Sequence, residues 1–238
     1  MTKRYGVLGA LLLVAATGCS SQVDAVCQVQ GTGTGGYVVK FTRVGSASSP
    51  ACDVQANTPA GFSDVWVMEQ YGKASDGALS VTSVQMAPPD DSEPNASIYG
   101  KGKFTTIYPD SNQLCFANMT DMTTLAANGG ANTLQYSAIT LTFLSTAFYQ
   151  GTQFKGTVTV TRNGCTANYT TQGLSPTVGC TANADCDPFK KPVSSGIQSN
   201  YNQGCVTDSW TTEAADFLGG DGVCFLKADF PSLGSFTP

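Results

Sequence analysis

Nine cysteines stand in a chain of 238 residues that contains no histidine. They are Cys19, Cys27, Cys52, Cys115, Cys165, Cys180, Cys186, Cys205 and Cys224. An odd count in an exported protein asks which thiol is left over. Cys19 answers, because it closes an apolar N-terminal run while the other eight are spread over the rest of the chain. In an oxidising compartment those eight make four disulfides, each contributing about 2–4 kcal/mol. The competing use of cysteine, a zinc site, finds no Cys-x-x-Cys pair and no imidazole here. Eight cysteines admit on the order of a hundred connectivities, so individual partners are not deducible. The change of composition along the chain suggests two groups. Cys27, Cys52, Cys115 and Cys165 are expected to pair among themselves, and Cys180, Cys186, Cys205 and Cys224 among themselves.

The N-terminus reads as an export signal. Lys3 and Arg4 form a cationic head, Gly6 to Ala16 is apolar, and Ala16-Thr17-Gly18 are small residues before Cys19. The run is far short of the roughly 20 residues that span a bilayer, and it suits a secretory signal. Its end looks like a bacterial lipobox, with Ala16 where the usual leucine stands. Residues 1–18 are then removed and Cys19 carries the acyl chains, palmitate among them. The plain alternative is an ordinary signal cut near Ala16 or Gly18. Ser20 follows the anchor where an inner-membrane retention signal shows Asp, which points to the outer membrane.

Charge narrows the partners. The chain has 12 basic and 17 acidic side chains, a net charge of −5. Loss of Lys3 and Arg4 makes the mature protein more acidic still. Such a surface repels nucleic acid and anionic headgroups, so membrane attachment falls to acyl chains. Only 12% of residues are charged, which argues against long surface helices.

The body of the chain has the period of strands. Tyr37, Val39 and Phe41 alternate with Val38, Lys40 and Thr42, the mark of a half-buried strand. Val65 to Met68 is apolar on both faces, as in a central strand. Leu79 to Met86, Phe104 to Tyr108, and the alternation of Ile139, Leu141 and Phe143 supply further strands. Thr157 to Thr161 runs into Arg162-Asn163-Gly164 and then Cys165 to Thr171. Asn-Gly between β-prone runs signals a hairpin, since both turn residues tolerate positive φ. Met119 to Ala127 is the single helix candidate. The predicted fold is all-β: an antiparallel sandwich, with a small open barrel as runner-up. The predicted division is a signal over 1–18, anchor and flexible tether over 19–36, a sandwich over 37–176, and a Cys-rich, loop-rich extension over 177–238, with too few apolar residues for its own core.

Several stretches resemble known proteins. They are the lipobox, the hairpin Gly156–Thr171 with Arg162-Asn163-Gly164-Cys165-Thr166-Ala167-Asn168-Tyr169, and the run Cys180 to Pro188. Ser195-Gly196-Ile197 followed by Asn202 to Cys205 joins them. Together they are similar to outer-membrane lipoproteins of myxobacteria, over most of the mature chain. The shared motifs are turn residues and cysteines. The resemblance implies a Gram-negative envelope location and brings no catalytic residue.

Candidate chemistry is sparse. Without histidine there is no Ser-His-Asp or Cys-His mechanism and no commonest general base. A glycosidase needs two carboxylates across a cleft, and Glu69, beside the strand of Trp66, is the leading glutamate. Asp90, Asp91 and Glu93 in a Pro-flanked loop are weak calcium candidates, as are Asp185 with Asp187 and Asp216 with Asp221. None follows the EF-hand spacing, and solvated loop carboxylates account for all of them. Gly31 to Gly36 lacks the Lys-Ser/Thr of a phosphate loop. The expected protein is non-catalytic and needs no cofactor. It is an outer-membrane lipoprotein with a structural or binding role, whose partner is an envelope protein or a glycan. The alternative is a carbohydrate-binding or Asp/Glu-dependent carbohydrate-active protein.

Overall fold

The structure is a computed structural model that describes residues 25–30, 36–53, 58–71, 78–83, 98–120, 122–123, 134–146, 151–190, 197 and 203–227. The strands are β1 (Tyr37–Val44), β2 (Gly61–Tyr71), β3 (Ala78–Ser83), β4 (Ile98–Phe104), β5 (Leu114–Met119), β6 (Met122–Thr123), β7 (Leu134–Leu144), β8 (Gln153–Arg162) and β9 (Cys165–Leu174). All pair antiparallel with their neighbours. The ladder runs β1-β2-β3-β4-β5-β7-β8-β9, and β9 pairs back to β1. The short β6 adds rungs to β4 and β7 at one end. The all-β expectation holds. The two facing layers are continuous at both edges, so the barrel form of that expectation describes the pairings, and no edge strand is left in the ring to recruit another chain.

Alternation decides what fills it. Tyr37, Val39 and Phe41 point inward with Phe62, Trp66, Met68, Tyr136, Phe143, Phe154 and Tyr169, all buried in one cluster. Eight strands enclose an interior that side chains can fill, and here aromatics do so. Phe41 is the hub: it stacks on Phe62 at 4.3 Å and on Tyr136 at 5.6 Å, and meets Trp66 edge-on at 5.6 Å. Such pairs add to area burial.

Two local devices keep the alternation in phase. In β7, Leu134 and Tyr136 face inward, then Ile139, Leu141 and Phe143 do. The inward set changes parity because the register slips between Ser137 and Thr140, where Ala138 has φ 49°. That is a bulge, an extra residue that re-aims all later side chains. The β8–β9 turn is Asn163 (φ 52°) and Gly164 (φ 78°), the positive-φ pair expected from the sequence.

Residues 25–30 close one end of the barrel, the end where β1 starts and β2 finishes. Cys27 and Val29 are buried in the barrel core. The Cys27 N–H donates to the Ile107 carbonyl at 2.8 Å. Gln70 Nε2 donates to the Cys27 carbonyl at 3.2 Å, and Ser145 Oγ to that of Val26 at 2.6 Å. Tyr37, from inside, donates its hydroxyl to the Gly151 carbonyl and accepts from the Gln30 N–H. Gly151 has φ 66°, and a Cβ there would lie 2.0 Å from the Gln28 carbonyl oxygen. Only glycine suits both conditions. The disulfide Cys27–Cys115 fixes this plug to β5, and Cys52–Cys165 ties a one-turn 3₁₀ helix, Pro50–Cys52, to the start of β9 at the opposite end.

The C-terminal part is a smaller unit on the barrel's outer wall. It holds β10 (Gly179–Cys180), β11 (Gln203–Val206), α1 (Thr212–Leu218) and β12 (Gly222–Leu226), with strand order β10-β12-β11. Cys180–Cys205 and Cys186–Cys224 cross-link it. Its apolar residues, among them Ile197, Trp210, Ala214, Val223 and Phe225, pack on Val38, Val65 and Leu174 of the barrel. This explains why Val65 to Met68 is apolar on both faces: Trp66 and Met68 face inward, while Val65 lies under the C-terminal unit.

Two expectations are corrected. Phe104–Tyr108 is not a strand; β4 ends at Phe104, and the strand lies before it, where Gly100 and Gly102 take inward positions. The helix candidate over Met119–Ala127 is also not found, since Met119 ends β5 and Met122–Thr123 is β6. Residues 121 and 124–127 lie outside the described residues.

Candidate functional site

Two places in the molecule concentrate polar chemistry. The first is inside the barrel. Asp64 lies on β2 with its side chain inward and no exposed surface. Its Oδ1 accepts from the Val65 N–H at 2.7 Å. Its Oδ2 accepts from Ser83 Oγ at 2.6 Å, Tyr136 hydroxyl at 2.9 Å and Trp66 Nε1 at 3.0 Å. Burial raises its pKa and the four donors pull it back, leaving it at about 6. Burial and the neighbouring carboxylate push the Tyr136 hydroxyl well above its ordinary range, so it stays a donor. This network orders the core. A carboxylate enclosed by rings and strands has no access for a substrate.

The second place is a groove of about 460 Å³ between the barrel wall and the C-terminal unit. Lys40 on β1 and Gln172 on β9 are cross-strand neighbours on the outer wall, and both line it. The opposite side is Asp208, Trp210, Phe225 and Lys227. Trp210 sits in a one-turn 3₁₀ helix, Ser209–Thr211, and its ring meets Phe225 edge-on at 5.2 Å. Trp210 Nε1 donates to Asp208 Oδ2 at 3.2 Å. The Lys40 ammonium lies 4.8 Å from the Trp210 ring centroid, a cation–π contact that holds the charge at the groove. Neither Lys40 nor Lys227 has a carboxylate at ion-pair distance among the described residues, whereas Arg43 pairs with Asp53 and Lys190 with Asp185. Among the described residues, the groove thus gathers two cations outside any ion pair and one carboxylate, in a protein of net negative charge.

Candidate residues from the sequence fall in several places. Cys19, with the signal, and Asp90, Asp91 and Glu93 lie outside the described residues. Glu69 and Trp66 do not share a cleft. They are three residues apart on a strand, so they face opposite ways: Trp66 is inside, and Glu69 is outside and accepts from the Tyr71 hydroxyl. The remaining carboxylates serve local turns. Asp185 Oδ2 accepts from the N–H groups of Thr181 and Ala182 at 2.9 and 3.0 Å, and the Lys190 ammonium holds its carboxyl well below the usual range. Asp187 accepts from the Phe189 N–H at 2.8 Å. Asp216 lies in the helix that Gly219, at φ 72°, caps. The sulfurs of Cys180, Cys186 and Cys224 cluster within 4.8 Å of one another. All three belong to disulfides, so no thiolate is offered to a metal.

Sequence reading missed both Asp64 and the groove. Nothing in Ser63-Asp64-Val65-Trp66 marks the acid as buried beyond its place between inward-facing Phe62 and Trp66. The groove joins residues from the first and the last described strands.

Comparison with known proteins adds the lineage. A Myxococcus xanthus protein, named "Putative lipoprotein MlpA", is 29% identical to this chain over 248 aligned residues, covering 98% of the chain and 100% of the relative. The resemblance to myxobacterial lipoproteins therefore stands. No solved structure matches. The profile of the MlpA family matches residues 35–176, which runs from just before β1 to just after β9. The match takes in the whole closed barrel, and by it this chain belongs to the MlpA family.

Proposed function

We propose that this protein is a non-catalytic binding module of the outer membrane, anchored by acyl chains on Cys19, and that its groove takes an acidic glycan of the envelope. The relative that spans the whole chain is named as a lipoprotein, which supports the anchor. The observation that carries the binding role is the pair Lys40 and Lys227 at one groove, without carboxylate partners among the described residues. An ammonium held on an aromatic ring, with a second lysine lining the same groove, suits carboxylated or phosphorylated sugars. A hydrolytic role is less well supported, because Asp208 is the single carboxylate lining the groove among the described residues and glycosidases use two.

A glycan array carrying neutral, uronic-acid and sugar-phosphate oligomers, probed with the detergent-solubilised lipoprotein, tests the reading. Acidic oligomers are expected to be retained, less so as salt rises, and Lys40→Gln with Lys227→Gln is expected to lose them. Equal retention by the double variant, or turnover of any glycan or ester, overturns it. A pull-down from the native envelope, run beside the array, asks whether a protein is captured instead. Intact mass of the membrane fraction tests the anchor separately: a free Cys19 thiol on a soluble product refutes it.

A further inference from the structure

The described residues include eight large hydrophobic side chains that are exposed: Val44, Tyr71, Tyr99, Ile107, Tyr108, Phe116, Phe189 and Phe217. Four of these gather at the plugged end of the barrel. Tyr71 is the last residue of β2, Ile107 and Tyr108 lie in the β4–β5 connection, and Phe116 is near the start of β5 on its outer face. The N-terminal chain emerges among them. Cys27 donates its N–H to Ile107 and is bridged to Cys115, next to Phe116. Its carbonyl accepts from Gln70, next to Tyr71.

We infer that this end of the barrel is a membrane-contacting face, with Tyr71, Ile107, Tyr108 and Phe116 seated in the polar–apolar boundary of the bilayer. The inference rests on the proposed acyl anchor at Cys19. From Cys19 to Ala25, where the described chain begins, is six residues. Fully extended at about 3.3–3.6 Å each, they reach about 20 Å. The plugged end is therefore the part of the barrel that the tether keeps against the lipid. Tyrosine suits such a boundary, having an apolar ring and a polar tip. Two acidic groups among the described residues at this end are engaged locally. Glu69 accepts from Tyr71, and Asp110 accepts from the N–H groups of Asn112 and Leu114, both at 2.9 Å. Lys103, one residue before the end of β4 and opposite Ala78 at the start of β3, adds positive charge. A few interfacial side chains bind weakly alone, but a short tether makes their binding intramolecular, at high effective concentration.

The test places the full lipoprotein in zwitterionic phosphatidylcholine vesicles with a photoactivated carbene reagent dissolved in the lipid. Labelled peptides are then mapped by mass spectrometry. Labelling is expected at Tyr71 and over Ile107–Phe116, several-fold above that at Phe189 and Phe217. The variant Ile107→Asn with Tyr108→Ser should lose most of that label while its intact mass still shows the acyl chains. Label spread evenly over the surface, or confined to Phe189 and Phe217, overturns the inference even when the anchor is present. Doubled mass in detergent that the same variant abolishes also overturns it, since this face would then be occupied by a second copy. Absence of acyl mass on Cys19 is a different failure, that of the anchor, and is read independently of the label.

Discussion

The barrel and the unit packed on its wall are stabilised in different ways. The barrel fills its interior with rings and seals its ladder, and its two disulfides span 88 and 113 residues. The C-terminal unit has strands of two to five residues and one short helix, and its disulfides span 25 and 38. Its apolar cluster is completed by Val38, Val65 and Leu174 of the barrel. Packing supports the first region, while cross-links and a borrowed surface support the second. The dependence should run one way, with the unit needing the barrel more than the barrel needs the unit. The two tryptophans happen to report on each: Trp66 in the barrel and Trp210 in the unit.

The largest expected effect is from Phe41→Ala. Removing the ring at the centre of the aromatic cluster leaves a cavity and should cost about 3–5 kcal/mol. Both tryptophans should report the loss together in denaturant titrations. A barrel-only transition would show that the unit stands alone. Opening Cys186–Cys224 with paired serines should cost about 2–4 kcal/mol, but only in the unit. Trp210 fluorescence and protease cleavage near β11 should change while the Trp66 transition stays. Simultaneous loss of both signals would make the two regions one cooperative body.

The next effect depends on pH. Asp64 titrates near 6 when folded, against 3.8 for the unperturbed group. The folded state therefore holds a proton that the unfolded state releases. That stability is complete below pH 3.8 and is lost as pH rises through 6, a change of about 3 kcal/mol for this group. Unfolding followed through Trp66 should show this slope, and Asp64→Asn should flatten it. A slope kept by the variant would assign it to another group. The smallest effect is Lys40→Met, which removes a cation–π contact worth about 0.5–1 kcal/mol at an exposed site. It should shift only the Trp210 spectrum and leave both unfolding midpoints nearly unchanged.

What could be read from the sequence follows from how strongly each residue's role is set locally. The β1 alternation and the Asn163-Gly164 turn are local rules, and both are visible in the chain. Gly100 and Gly102 give β4 no apolar signal at its inward positions, so the strand was hidden and its neighbours Ile107 and Tyr108, which are exposed, took its place. The parity change in β7 depends on one bulge that no propensity marks. The hidden acid and the groove depend on closure of the ring and on docking of the C-terminal unit, which bring together residues far apart in sequence. That disulfides would form was legible from the count; their partners needed the fold.

The plug has a mechanical consequence. A pull from the N-terminal side meets its first covalent hold at Cys27 and passes through the bridge to Cys115 in β5. The stretch from Gln28 to Gly36 is thereby bypassed, and tension never arrives at the start of β1. A tug on the proposed anchor would be borne by a covalent strut into the barrel wall. Reducing that one bridge would redirect the same force onto the plug's hydrogen bonds, and the barrel would then open by peeling from its first strand.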